Sequence, residues 1–178
     1  MKRLLLAALL LPPLLLAACV PAPGPETPRP VASVDLGRYA GTWFEIARLP
    51  NSFQDGDRVC EGTTATYTAR SDGQVGVVNR CVDAAGSREA TATAYAVPGS
   101  DNARLRVTFF WPFYGDYWMI GLDPDYRWAL VGAPDRRFLW LLSRTPRLPQ
   151  ADEDAAWAIA RREGFDLAPL RRTTHAAN

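Results

Sequence analysis

Apolar and polar residues alternate along most of this chain, and the dominant period is two, the period of a β-strand with one face on a core. A short helical turn at 36–39 runs into Gly41, and the strand that follows sets Trp43, Glu45 and Ala47 on one face and Phe44, Ile46 and Arg48 on the other. Residues 50–61 form a long polar loop. The next strand, 63–70, alternates Ala65 and Tyr67 against Thr64, Thr66, Thr68 and Arg70, turns at Ser71-Asp72-Gly73 and returns over 75–81. Residues 89–97 put Ala90, Ala92, Ala94 and Ala96 on one face, a row of small side chains that leaves room in front of it. After a turn at 98–102, residues 104–111 set Leu105, Val107, Phe109 and Trp111 inward and Arg104, Arg106 and Thr108 outward. A turn at 111–115 leads to strands at 116–122, 126–132 and 137–144, giving eight in all. These last three are apolar on both faces, as in Phe138-Leu139-Trp140-Leu141-Leu142, so something must cover them from outside. The pattern supplies a cover: a helix at 151–163, with Asp152, Glu153 and Asp154 at its start, Arg161 and Arg162 at its end and Gly164 as its stop. A short ninth strand is expected at 166–170 and a frayed tail beyond Arg172.

The N-terminus follows a different rule. Lys2 and Arg3 precede an apolar run at 4–18, too short for a comfortable membrane span, and Cys19 follows it. Leu16-Ala17-Ala18-Cys19 resembles the bacterial lipoprotein box, which implies cleavage before Cys19 and attachment of palmitate-type acyl chains to it. Val20 in place of an aspartate implies sorting to the outer membrane, with the folded domain in the periplasm. Residues 20–30 are rich in proline and read as a semi-rigid tether. The expected organisation is a signal peptide at 1–18, a lipidated Cys19 and tether at 19–32, one folded domain at 33–172 and a tail at 173–178.

Composition narrows the function. The chain has 178 residues, 48% of them hydrophobic, and a formal net charge of +1, which fits a globular protein and argues against nucleic acid as a partner. His175 is the only histidine and falls in the expected tail. That leaves no Ser-His-Asp triad and no histidine-ligated metal, and no phosphate-binding glycine loop occurs either. No enzyme activity, metal or cofactor is expected.

Three segments carry a family resemblance. Gly41-Thr42-Trp43 after a helical turn, Asp125-Tyr126 at the turn between the sixth and seventh strands, and Arg144 after the eighth strand resemble, in order and spacing, the three motifs of the lipocalins. The phrasing especially resembles that of the bacterial outer-membrane lipocalins, which are related to apolipoprotein D. The resemblance implies an all-β fold, an eight-stranded antiparallel up-and-down β-barrel with one C-terminal α-helix packed outside. It also implies that Trp43 and Arg144 meet at the closed end, and that the barrel carries a small apolar ligand, a fatty acid or a lysophospholipid.

On that fold the cavity wall is expected to include Tyr67, Ala94, Leu105, Val107, Phe109, Trp111, Tyr114, Trp118 and Trp140. The aromatic run from Phe109 to Trp118 has three readings: core packing, the mouth of a lipid pocket, or a contact with the membrane or a second copy in a homodimer. Glu45 shares a face with Trp43, so inside the barrel it needs a partner, either an arginine or a ligand head group through water. With Cys19 taken by lipid, Cys60 and Cys81 remain, either as one disulfide or as two buried thiols. A strict two-residue turn at Asp72-Gly73 sets Cys81 opposite Thr64, so a bridge requires the polar loop to fold back.

Overall fold

The computed structural model describes residues 26–176. The signal peptide, Cys19, the first part of the tether and the last two residues lie outside that range. A one-turn helix α1 (Leu36–Tyr39) precedes strands β1 (Gly41–Arg48), β2 (Glu61–Ala69), β3 (Val75–Asp83), β4 (Gly86–Ala96), β5 (Arg104–Phe110), β6 (Phe113–Leu122), β7 (Trp128–Gly132) and β8 (Leu139–Ser143). Helix α2 (Gln150–Arg162) and a two-residue strand β9 (Arg171–Arg172) complete the chain. From β1 to β8 every strand pairs antiparallel with the next, and β8 pairs back onto β1. The sheet therefore closes into an eight-stranded barrel, with β9 on the upper part of β1 beyond the stretch that β2 occupies.

The base is built around Trp43, which is fully buried opposite the small Ala65. Its indole N–H donates to Tyr39 O at 2.8 Å, and the Arg144 guanidinium lies over its ring at 3.8 Å from the centroid. Arg144 also donates to the carbonyls of Arg38, Tyr39 and Thr42. Gly41 has φ +96°, and a Cβ there would sit 3.3 Å from the Arg144 guanidinium, so both conformation and contact favour glycine. Tyr126 belongs to the same end: its hydroxyl accepts from the Asp35 backbone N–H, and Arg38 stacks on its ring at 4.2 Å. Asp125, by contrast, is exposed. The acid that organises this turn is the buried Asp123, which accepts from the backbone N–H groups of Asp125 and Arg127 and from the Arg127 guanidinium.

Register shifts interrupt the simple alternation at four places among the described residues, and two of them act on the strands under the helix. Between Glu45 and Ala47 one residue of β1 has no opposite number on β8. Ala47 therefore shares the outer layer with Leu141, and Arg48 turns inward opposite Trp140, the reverse of the strict period-two reading. A bulge between Met119 and Gly121 sets Gly121 in the outer layer beside Ile120, opposite Leu130, and returns Leu122 to the inner face. The outer layer of Ile120, Trp128, Leu130, Leu139 and Leu141 is covered by Ala156, Trp157 and Ala160 of α2 and by Phe165. A Cβ on Gly132 would come within 2.6 Å of the Phe165 ring, so the cover seats only on glycine there.

The termini are more ordered than the sequence pattern implies. Pro28 is buried, Arg29 N donates to Glu163 at 2.9 Å and Val31 N to Met119 O at 2.8 Å, so contacts with the barrel begin ahead of Ser33. Past Arg172, Thr173 N donates to Ile46 O, Thr174 N to Glu61, and His175 bonds the Glu45 carbonyl at 2.7 Å. The short ninth strand lies at Arg171–Arg172 rather than 166–170. The two acids in the first turn of α2 serve as tertiary partners: Asp152 pairs with Arg127 and Glu153 with Arg172.

Candidate ligand site inside the barrel

Away from the base, the inner wall becomes progressively accessible. Along β4, Ala94 is fully buried, Ala92 half-buried and Ala90 exposed; along β5, Leu105 is fully buried, Val107 half-buried and Phe109 exposed. On β6, Met119 is buried, Tyr117 half-buried and Gly115 exposed. Three adjacent strands with the same gradient describe a cup, packed at the bottom and open at the top. Alanines along β4 set its width, since a larger side chain there would fill it.

Three tyrosines from distant parts of the chain meet low in the cup. The Tyr39 and Tyr67 hydroxyls each lie 2.7 Å from that of Tyr117, and Tyr39 stacks near Trp43 at 4.9 Å between ring centroids. Burial holds all three phenols well above their ordinary titration range.

Near the rim, the loop at 49–60 folds back onto a buried polar network. Arg48, fully buried, donates to Glu45 at 2.6 Å, to both Asp55 oxygens at 2.6 and 3.0 Å, to Thr173 and to the Cys60 carbonyl. Gln54 donates to the other Glu45 oxygen at 2.7 Å and accepts from the Trp140 indole N–H and from Asn51. Glu45 thus lies inside, as its face requires, and its partner is an arginine three residues along its own strand. Burial pushes the Asp55 carboxyl up, but its bonds to Arg48 and the Asn51 N–H, with the charges of Arg48 and Arg171, hold it below the usual carboxylate range. Cys60 and Cys81 are bridged, with Cα atoms 5.4 Å apart. The β2–β3 register shifts between Glu61 and Thr64, and that shift, with the folded-back loop, brings the two together.

Above the rim stands an aromatic crown. Phe110, Trp111 and Phe113 are 80%, 80% and 76% exposed, and Phe53, Phe109 and Tyr114 are also exposed. Phe138 and Trp140 stack 5.7 Å apart, and Phe53 from the folded-back loop lies 5.7 Å from Phe138.

Of the nine expected wall residues, Tyr67, Ala94, Leu105, Val107 and Trp140 line the interior. Phe109 stands exposed in the β5–β6 bulge at the rim. Three lie elsewhere. Trp118 faces outward opposite Arg104, which covers its ring, because the preceding residue Tyr117, paired with Leu105 on β5, takes the inner face. Tyr114 also faces outward, between Tyr95 and Arg106. Trp111 sits at the β5–β6 hairpin tip, beyond the last paired residues Phe110 and Phe113, so it has no wall to join. Sequence reasoning missed Arg48, Gln54, Tyr39 and Tyr117 as interior groups. A signal existed for Arg48, an arginine in an apolar strand with Glu45 three residues before it and Asp55 seven after.

Comparison with known proteins agrees with this geometry. The family model for a lipocalin-like domain matches residues 34–175, and the chain belongs to the lipocalin family. It is 41% identical to the outer membrane lipoprotein Blc of Escherichia coli K12 over 169 residues, covering 94% of each chain. It is 38% identical to temperature-induced lipocalin-1 of Arabidopsis thaliana, covering 80% of each. Among solved structures, insecticyanin of Manduca sexta superposes with a TM-score of 0.69 at 18% identity, covering 88% of each chain, a likeness of fold alone.

Proposed function

We propose that this protein carries an acyl lipid, a fatty acid or a lysophospholipid, in the upper half of its barrel. The observation that supports this most is the gradient of exposure along the inner wall, which ends in an aromatic rim. Burying ten methylenes there is worth about 8 kcal/mol gross, and ordering and association remove several of these. Micromolar binding follows without a dedicated head-group contact. The site is held near lipid by Cys19, acylated in the bacterial outer membrane with the barrel in the periplasm. The lipoprotein box and the printed name of the Blc relatives support that placement. A carrier role also suits the cysteines, since the bridge between Cys60 and Cys81 removes the thiols an acyl-transferring lipocalin would need.

The decisive experiment is identification of lipids extracted from the purified mature protein, followed by native mass spectrometry of delipidated protein with added lysophosphatidylethanolamine. A one-to-one complex is expected. Turnover of the lipid would favour an enzyme, and absence of any complex would end the carrier reading. The crown favours a second, compatible role as a contact with the membrane or with a second copy in a homodimer. Trp111→Ser is then expected to weaken vesicle co-sedimentation or dimerisation and leave lysophospholipid binding unchanged.

A further inference from the structure

The three tyrosines low in the cup do not satisfy one another. Three hydroxyls bring three protons, but the cluster contains only two bonds, Tyr39 to Tyr117 and Tyr67 to Tyr117. One O–H donor is left over among the described residues, along with several lone pairs, in a place that is otherwise apolar. Leaving a buried donor unmade is costly. Tyr117, the hub, is the member that keeps accessible surface toward the cup. A ligand that arrives with a terminal methyl group leaves that donor unmet; a ligand that arrives with oxygen meets it.

We propose that the Tyr39–Tyr67–Tyr117 cluster is a receptor for a neutral oxygen function, a hydroxyl or an un-ionised carboxylic acid, on an apolar ligand that enters the barrel oxygen first. This rests on the carrier reading and names the ligand end and orientation that the floor selects. A hydroxyl or neutral acid both accepts and donates, which matches a spare donor beside spare lone pairs. A carboxylate only accepts, and the surroundings disfavour it. The Arg144 guanidinium, whose charge reaches Tyr39, is committed to Trp43 and four carbonyls, Arg48 is saturated by Glu45 and Asp55, and the negative charge of Glu45 bears on Tyr67.

The test compares two probes by displacement of a fluorescent dye from the delipidated mature protein. Hexadecanol can enter oxygen first; lysophosphatidylethanolamine, with its bulky head group, enters methyl first. Tyr117→Phe and, separately, Tyr67→Phe keep the ring and remove the hydroxyl. Hexadecanol affinity is expected to fall about three- to tenfold in Tyr117→Phe, the worth of one hydrogen bond, and to hold in Tyr67→Phe, where Tyr39 and Tyr117 still bring two O–H donors to one bond. Lysophosphatidylethanolamine affinity is expected to hold or tighten. In Tyr117→Phe, equal changes for both probes, or no change for hexadecanol, overturn the proposal while leaving the carrier reading intact. A wild-type protein that binds neither probe overturns the carrier reading itself. Melting curves of the two variants show that the barrel is retained.

Discussion

Arg48 holds a full positive charge where water does not reach, and five acceptors make that tolerable: two carboxylates, a hydroxyl and a carbonyl supply them. A buried ion pair adds little over a packed apolar substitute, but removing one partner strands the other. Glu45→Ala is therefore expected to cost about 3–5 kcal/mol of unfolding free energy in urea titration. Trp43→Ala is expected to cost a similar 3–5 kcal/mol, by emptying the base and leaving the Arg144 guanidinium without its ring. An unchanged denaturation midpoint for either variant would count against its place. The two residues were unequally legible in the sequence. Trp43 announces itself by a glycine two positions before it and a strand after it. Arg48 hides, because strict alternation places it on the outer face and only a bulge turns it in.

Among the elements, the turn between β6 and β7 depends on one carboxylate. Burial acts to raise Asp123, but the Arg127 side chain and the N–H groups of Arg127 and Asp125 hold it below the ordinary range; Asp55 and Glu163 are lowered in the same sense by their own partners. A carboxylate lowered on folding contributes stability above its unfolded pKa of about 4, and that stability is lost as pH falls through the folded value. The barrel is thus expected to lose stability steadily below about pH 4, and Asp123→Asn to show a shallower loss over the same range in acid denaturation. The tyrosine cluster works at the other extreme. Tyr39, Tyr67 and Tyr117 are raised, so their contribution is present below the ordinary phenol value of about 10 and is lost as pH climbs beyond it. Their tyrosinate absorbance is expected to appear together with loss of near-ultraviolet circular dichroism; an earlier rise would place them in contact with water.

For the whole molecule, the loop at 49–60 is fastened twice, by the Arg48 network beneath it and by the Cys60–Cys81 bridge at its end. The bridge closes a loop with a sequence separation of 21, so reduction is expected to cost about 3 kcal/mol of stability. Measured by limited proteolysis, reduction alone is expected to leave the loop attached through Asp55 and Gln54. Reduction combined with Asp55→Ala is expected to expose it to cleavage. A loop that is cleaved as readily in the oxidised wild type would deny both fastenings.

The sequence by itself determined what repeats over short range. Alternation fixed eight strands, two-faced apolar strands called for an outer helix, and turn residues placed the hairpins. The motif residues Gly41, Trp43, Tyr126 and Arg144 fixed which end is closed. Only the tertiary structure decided what depends on register and on contact between distant residues. The inner or outer face of Trp118, Tyr114 and Arg48 followed from bulges and cross-strand neighbours. The meeting of Tyr39, Tyr67 and Tyr117 required the barrel to close. A period-two pattern specifies that a strand has two faces; a single added residue exchanges them, and that exchange is settled by packing against the strands on either side.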